Sequence, residues 1–181
     1  MIRVLVTGAT GFIGLHCIKQ LLERGYFVRG TIRSKIREPE VTQAIEKYNL
    51  DIKNLELVET DLLHDDGWIE AMQGCDYVLH VASPNYNPEK EDIVKIAVDG
   101  TKRVLWSASQ SNVKKIVMTS SLAAVTGCSD SEKKFDETDW ANINDKRIDQ
   151  YTKSKIAAEL TAWNFIDELS DETKEIIRRL Q

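Results

Sequence analysis

Proline occurs only three times in 181 residues, and no apolar run approaches the roughly 20 residues needed to cross a bilayer. With nine glycines and 42% hydrophobic residues, the composition excludes collagen-like and disordered architectures and suits a chain that buries a sizeable core. Cysteine is scarce too. Cys17, Cys75 and Cys128 form no C-x-x-C pair, and their odd number and wide spacing fit reduced thiols better than a disulfide framework or a zinc site. Positive charge is not in excess: 24 Lys and Arg against 29 Asp and Glu leave −5, so no global field draws the chain to nucleic acid or to a membrane surface. Aromatic residues make up 7%, and Trp68, Trp106, Trp140 and Trp163 are not spaced as a stacking platform for bases; they read as core or loop packing. The first residues lack the basic segment and cleavage site of a signal peptide. A cytoplasmic protein of one ordinary domain is expected.

What is present is an alternation of two periodicities. Ile2–Thr7 is a short, β-branched apolar run of the kind buried on both faces of a parallel sheet. Glycines follow, and then Ile13, Cys17, Ile18, Leu21 and Leu22 recur at helical spacing up to Arg24-Gly25, a helix stop. Strands are expected again at Tyr26–Ile32, Leu55–Thr60, Tyr77–Ala82 and Lys115–Thr119. Helices are expected at Pro39–Leu50, Trp68–Met72, from Ile93 to Ala108, and from about Tyr151 to Leu169, the last with Ile156, Leu160, Trp163 and Ile166 inward. Such alternation predicts an α/β fold, a doubly wound parallel sheet with helices on both faces. The polar stretch Cys128–Asp149 is too long for a simple turn, which points to a functional loop.

Three residue sets carry chemistry. Gly8, Gly11 and Gly14 sit between the first strand and first helix, where glycines let a backbone approach a pyrophosphate and the helix N-terminus offers free N–H groups. At the end of the second strand stands Arg33, with Lys35 and Arg37 behind it, where an NAD-binding chain would place a carboxylate. Cations there suit a 2′-phosphate, and favour NADP(H) over NAD(H), although the same cluster also reads as a solvated loop. Tyr151 and Lys155 lie four apart on one helix face. A tyrosine, with its ordinary pKa of about 10, needs a neighbouring ammonium to move protons near neutral pH. Thr119-Ser120-Ser121 follows the fifth strand, on the edge where open α/β sheets bind ligands; hydroxyls also commonly just cap strand ends. His80 reads as a packed, hydrogen-bonded histidine.

Together these sets resemble the short-chain dehydrogenase/reductase superfamily, and within it the extended, dihydroflavonol-reductase-like and aldehyde-reductase-like members. The resemblance runs through T-G-A-T-G-F-I-G at Thr7–Gly14, V-R-G-T-I-R at Val28–Arg33, Asp61-Leu62, H-V-A-S-P at His80–Pro84, D-G-T-K-R-V-L at Asp99–Leu105, T-S-S at Thr119–Ser121 and Y-T-K-S-K at Tyr151–Lys155. It implies a Rossmann fold, with residues 1–170 as an NADP-binding domain that carries a Ser-Tyr-Lys catalytic set. Gly8, Gly11, Phe12, Ile13 and Gly14 would then meet the pyrophosphate, Arg33 the 2′-phosphate, and Asp61 and Leu62 the adenine. Val81, Ala82, Ser83, Thr119 and Ser120 would line the nicotinamide-side ribose, with Tyr151 and Lys155 also on the cofactor. Ser121 would polarise a carbonyl, Tyr151 donate a proton, and Lys155 bind the ribose and assist the tyrosine.

Members of this kind continue past the tyrosine helix into a sixth strand and a substrate-binding region. Asp171–Gln181 is charged and helical in pattern instead, which reads as a divergent tail, with most of the substrate region missing. The expected activity is NADPH-dependent reduction of a carbonyl substrate: an aldehyde, a ketone or a dihydroflavonol-like compound. A cofactor-binding protein without turnover and a sugar-nucleotide epimerase or dehydratase are the alternatives. Self-association through the last helix and the open sheet edge is a further expectation.

Overall fold

A computed structural model of the chain describes residues 2–84, 92–129 and 132–169. Five strands, β1 (Arg3–Val6), β2 (Phe27–Ile32), β3 (Leu55–Glu59), β4 (Tyr77–His80) and β5 (Lys115–Met118), form one sheet in the order β3-β2-β1-β4-β5. Every pairing is parallel, with Val4 opposite both Val28 and Tyr77. The helices are α1 (Phe12–Glu23), α2 (Glu38–Glu46), α3 (Trp68–Met72), α4 (Ile93–Ser109), α5 (Leu122–Thr126) and α6 (Gln150–Glu168).

Alternation along β1 builds the core on both faces of the sheet. Val4 and Val6 point to one face and pack with Ile18 of α1 and Val41 and Ile45 of α2. Leu5 points to the other and meets Trp68 and Met72 of α3 and Val104 and Leu105 of α4, with Phe165 of α6 against the same cluster. The doubly wound parallel sheet expected from the sequence is therefore the observed architecture, and the central strand is buried on both sides as its unbroken apolar run requires.

Several expectations are corrected. α6 turns a different face inward: Ser154, Ile156 and Thr161 are buried, whereas Leu160 and Trp163 are exposed. Trp106 and Trp140 are exposed as well, and of the four tryptophans only Trp68 belongs to the core. α2 ends at Glu46 instead of near Leu50, because the chain turns through Asn49 at a left-handed φ of 57°. α5 was not expected. The proposed tail, Asp171–Gln181, lies outside the described residues.

Arg29, within β2, is buried and still satisfied. Its guanidinium donates to the carbonyls of Ala71 and Gln73 at 2.9 and 2.8 Å, just where α3 ends, and pairs with Glu56 at 2.9 Å. The carbonyls orphaned at that helix end are thereby engaged.

Candidate active site

The C-terminal edge of the sheet gathers the residues singled out above. Between β1 and α1 the chain turns through Gly8, whose φ of +73° lies in the left-handed region, with its Cα face close against Ala82: a Cβ there would meet Ala82 Cα at 3.0 Å. At Gly14 a Cβ would lie 2.3 Å from the Gly8 carbonyl oxygen, so α1 can start this close to the turn only with glycine. Gly11 occupies the N-cap of α1 and supplies no side-chain cap. The first N–H groups of the helix therefore receive no side-chain acceptor at its positive dipole end, where an anion is favoured. Phe12 and Ile13 project from the same turn and are exposed.

One hydroxyl ties this turn to its neighbour. Thr7 Oγ1 accepts from the amides of Val81 and Ala82 at 3.0 and 2.9 Å and lies 2.9 Å from His80 Nδ1. His80 is buried, and burial first, then the charge of Lys155, holds its pKa down at about 4. The sequence reading of His80 as packed and satisfied agrees with this geometry.

His80, Ala82, Ser83, Thr119, Ser120 and Lys155 line one crevice, with Leu62 on its wall. Lys155 Nζ donates to Ser83 Oγ at 3.1 Å and stands 5.7 Å from the centre of the Tyr151 ring, one helical turn away. Tyr151 is 41% exposed. Ser120 is not free to serve a ligand alone, since its hydroxyl donates to the Glu159 carboxylate, one turn past Lys155. Ser121 caps α5, its oxygen accepting from the Ala123 amide at 3.2 Å while its proton stays available to donate. It faces a second, wider groove beside Trp140, Glu159 and Trp163.

On the far side of β1, Arg33 is exposed and has no ion pair among the described residues. Of its two companions, Arg37 pairs with Glu40 at 2.8 Å, and the Lys35 amide donates to Glu59 at 3.1 Å. The basic cluster thus reduces to Arg33 and the Lys35 side chain. Asp61 and Leu62 follow β3, and just before them Thr60 Oγ1 is buried without a partner among the described residues. Thr7, Glu159 and Arg103, which donates to the Leu62 carbonyl at 2.8 Å, were missed by sequence reasoning. For Thr7 a signal existed: a threonine at the strand end directly before the glycine turn.

The sequence profile of the NAD dependent epimerase/dehydratase family matches residues 4–173. The chain belongs to that family. Among curated relatives, this family member is 40% identical over 164 residues to cinnamoyl-CoA reductase 1 of Petunia hybrida, covering 88% of this chain and 48% of that protein. It is 35% identical over 175 residues to dihydroflavonol 4-reductase of Arabidopsis thaliana, covering 91% and 45%. Among solved structures, Gre2 of Candida albicans in complex with NADPH superposes with a TM-score of 0.78 at 32% identity, covering 94% of this chain and 54% of that one. The chain spans about half the length of the relatives it matches. Among the described residues no helix is long and apolar enough to cross a membrane.

Proposed function

We propose that residues 1–170 form the NADPH-binding and catalytic unit of a carbonyl reductase acting on an aldehyde, a ketone or a dihydroflavonol-like compound. The observation that carries this reading is the 3.1 Å bond from Lys155 Nζ to Ser83 Oγ. It joins α6, which bears Tyr151 one turn before Lys155, to the segment after β4 that lies against Gly8, and so supports a reading in which cofactor cradle and proton donor serve one ligand. The glycine cradle that a Cβ would fill, the uncapped start of α1 and Arg33, exposed and without an ion pair among the described residues, all fit a phosphorylated dinucleotide.

In this reading Gly8, Gly11, Phe12, Ile13 and Gly14 hold the pyrophosphate, Arg33 the 2′-phosphate, and Asp61 and Leu62 border the adenine. Val81, Ala82, Ser83, Thr119 and Ser120 line the nicotinamide-side ribose. When bound, the nicotinamide supplies a hydride to the carbonyl carbon. Tyr151 donates its phenolic proton to the carbonyl oxygen, and Ser121 donates a hydrogen bond to that same oxygen. The Lys155 ammonium binds the ribose and attracts the charge left on the Tyr151 oxygen.

The names of the relatives and the NADPH held by the Candida albicans protein support the reductase branch over epimerisation. NADPH oxidation is to be followed with aldehydes, ketones and sugar nucleotides. Turnover of carbonyl compounds bears the proposal out. Conversion of sugar nucleotides alone overturns it, and so does cofactor binding with no turnover in a version extended by the C-terminal region of a related reductase; the 181-residue chain by itself is expected to show little or no activity. Three unpaired cysteines support a cytoplasmic setting, checked by fractionation. Exposed Leu160 and Trp163 on α6 support self-association, checked by sedimentation.

A further inference from the structure

The turn after β3 is fastened from three directions. It closes on itself, with the Asp61 carboxylate accepting the Leu63 amide at 3.0 Å and the Asp61 carbonyl accepting the His64 amide at 3.2 Å. The buried indole of Trp68 then donates to the carbonyls of both Asp61 and His64, at 3.1 Å each. The third fastening comes from α4, some 40 residues further along the chain: Arg103 Nη1 donates to the Leu62 carbonyl at 2.8 Å, and Arg103 Nε pairs with the Asp65 carboxylate. A planar guanidinium can serve two acceptors at fixed spacing, which an ammonium does less well. Gly100, three residues earlier on α4, allows the approach, since a Cβ there would come within 2.9 Å of Leu62 Cδ2.

We propose that Arg103 is a positioning residue for the adenine end of the nucleotide. It holds the Leu62 carbonyl directly and the far side of the turn through Asp65, so Asp61 and Leu62 present a preformed edge. This rests on the cofactor reading above, which gives Asp61 and Leu62 to the adenine. A loop that must be ordered on binding subtracts that ordering from affinity, and a loop already fastened does not. Among the described residues, Arg103 has no hydrogen bond to the glycine turn, to Arg33 or to Tyr151 and Lys155, so its influence is confined to one end of the ligand.

The experiment compares wild type, Arg103→Ala, Arg103→Lys and Asp65→Ala in their affinity for NADPH and for 2′,5′-ADP, together with amide hydrogen exchange of the free proteins. Arg103→Ala is expected to weaken both ligands by roughly three- to tenfold, the range of one or two hydrogen bonds. Exchange at Leu63 and His64 should quicken, while exchange at Leu15 in α1 stays unchanged. Arg103→Lys should recover part of the loss. Asp65→Ala, whose side chain is 84% exposed and cannot disturb the core, should shift affinity the same way by less, and it decides the matter if the Arg103 variants do not fold. Unchanged 2′,5′-ADP affinity in the folded variants overturns the inference while leaving the cofactor reading intact. So does faster exchange spread over the whole chain, because it marks general loosening. A wild type that binds neither ligand removes the cofactor reading and this inference with it.

Discussion

The Thr7 hydroxyl and the His80 ring are locked in one hydrogen-bonding direction. A threonine oxygen has two lone pairs and one proton, and at Thr7 both lone pairs are taken by the amides of Val81 and Ala82. Its proton therefore goes to His80 Nδ1, 2.9 Å away, and the imidazole is the neutral tautomer protonated at Nε2. Protonating Nδ1 would set two donors against each other in a buried site.

That arrangement predicts an acid-sensitive fold. His80 has its pKa lowered to about 4, through burial and then Lys155, while in the unfolded chain it sits near 6.5. As pH falls from 6.5 to 4 the unfolded state takes up a proton that the native state refuses, so stability drops through that window, by about 3 kcal/mol in all. His80→Asn keeps an acceptor for Thr7 and cannot titrate there. Its stability should vary less between pH 6.5 and 4 than that of wild type, measured by urea unfolding. Identical slopes in the two proteins would rule out His80 as the source.

Cofactor choice should depend on Arg33. A charge-assisted contact to phosphate contributes about 1.5–3 kcal/mol, and exposure of the guanidinium puts the effect at the lower end, about tenfold in affinity. Fluorescence titration should show NADPH bound more tightly than NADH, with Arg33→Ala erasing most of the difference. A variant that retained the preference would move the 2′-phosphate elsewhere.

In a form that carries the substrate region, Tyr151→Phe removes only a hydroxyl, so NADPH affinity should stay close to normal while kcat falls by at least a hundredfold, the scale of a lost proton donor. Lys155→Ala should lower both, because its ammonium also bonds Ser83 within the crevice. Near-normal kcat in Tyr151→Phe would exclude the proposed donor.

Two glycines separate close approach from backbone conformation. Gly14→Ala forces a methyl to 2.3 Å from the Gly8 carbonyl, so the turn must move; a loss of about 1–3 kcal/mol in stability and of measurable NADPH binding is expected. Gly25, at φ +77° with open space around it, should cost about 1 kcal/mol as alanine and leave binding intact. Equal effects on binding would mean that the turn tolerates displacement.

The sheet and five of the six helices were legible because their periodicities are strong, with Gly8 and Gly25 marking the ends of β1 and α1. α5 was not legible: five residues carry no period, and the Ser121 cap was its only trace. The inner face of α6 differs from its apolar stripe because polar residues share it. Ser154 is buried with its hydroxyl donating to the Tyr151 carbonyl at 2.7 Å, which satisfies it without water, while Trp163 stays outside. In the candidate site, Gly8 lies against Ala82 and Lys155 reaches Ser83, contacts between segments that the sequence marks only as separate motifs. The engagement of Ser120 by Glu159, and of Leu62 by Arg103, joins residues 39 and 41 positions apart, and no local pattern records such pairs.

The strand order carries a consequence for synthesis. β1 is made first yet occupies the middle of the sheet, and the amide of Arg3 finds the carboxylate of Asp76 only 73 residues later. At ribosomal rates that interval lasts roughly 4–15 s, during which the nascent chain can pair β1 with β2, and β2 with β3, but leaves the other edge of β1 open. Until β4 leaves the exit tunnel, that apolar edge is a point where a chaperone, or another nascent chain, can bind before the protein's own fourth strand does.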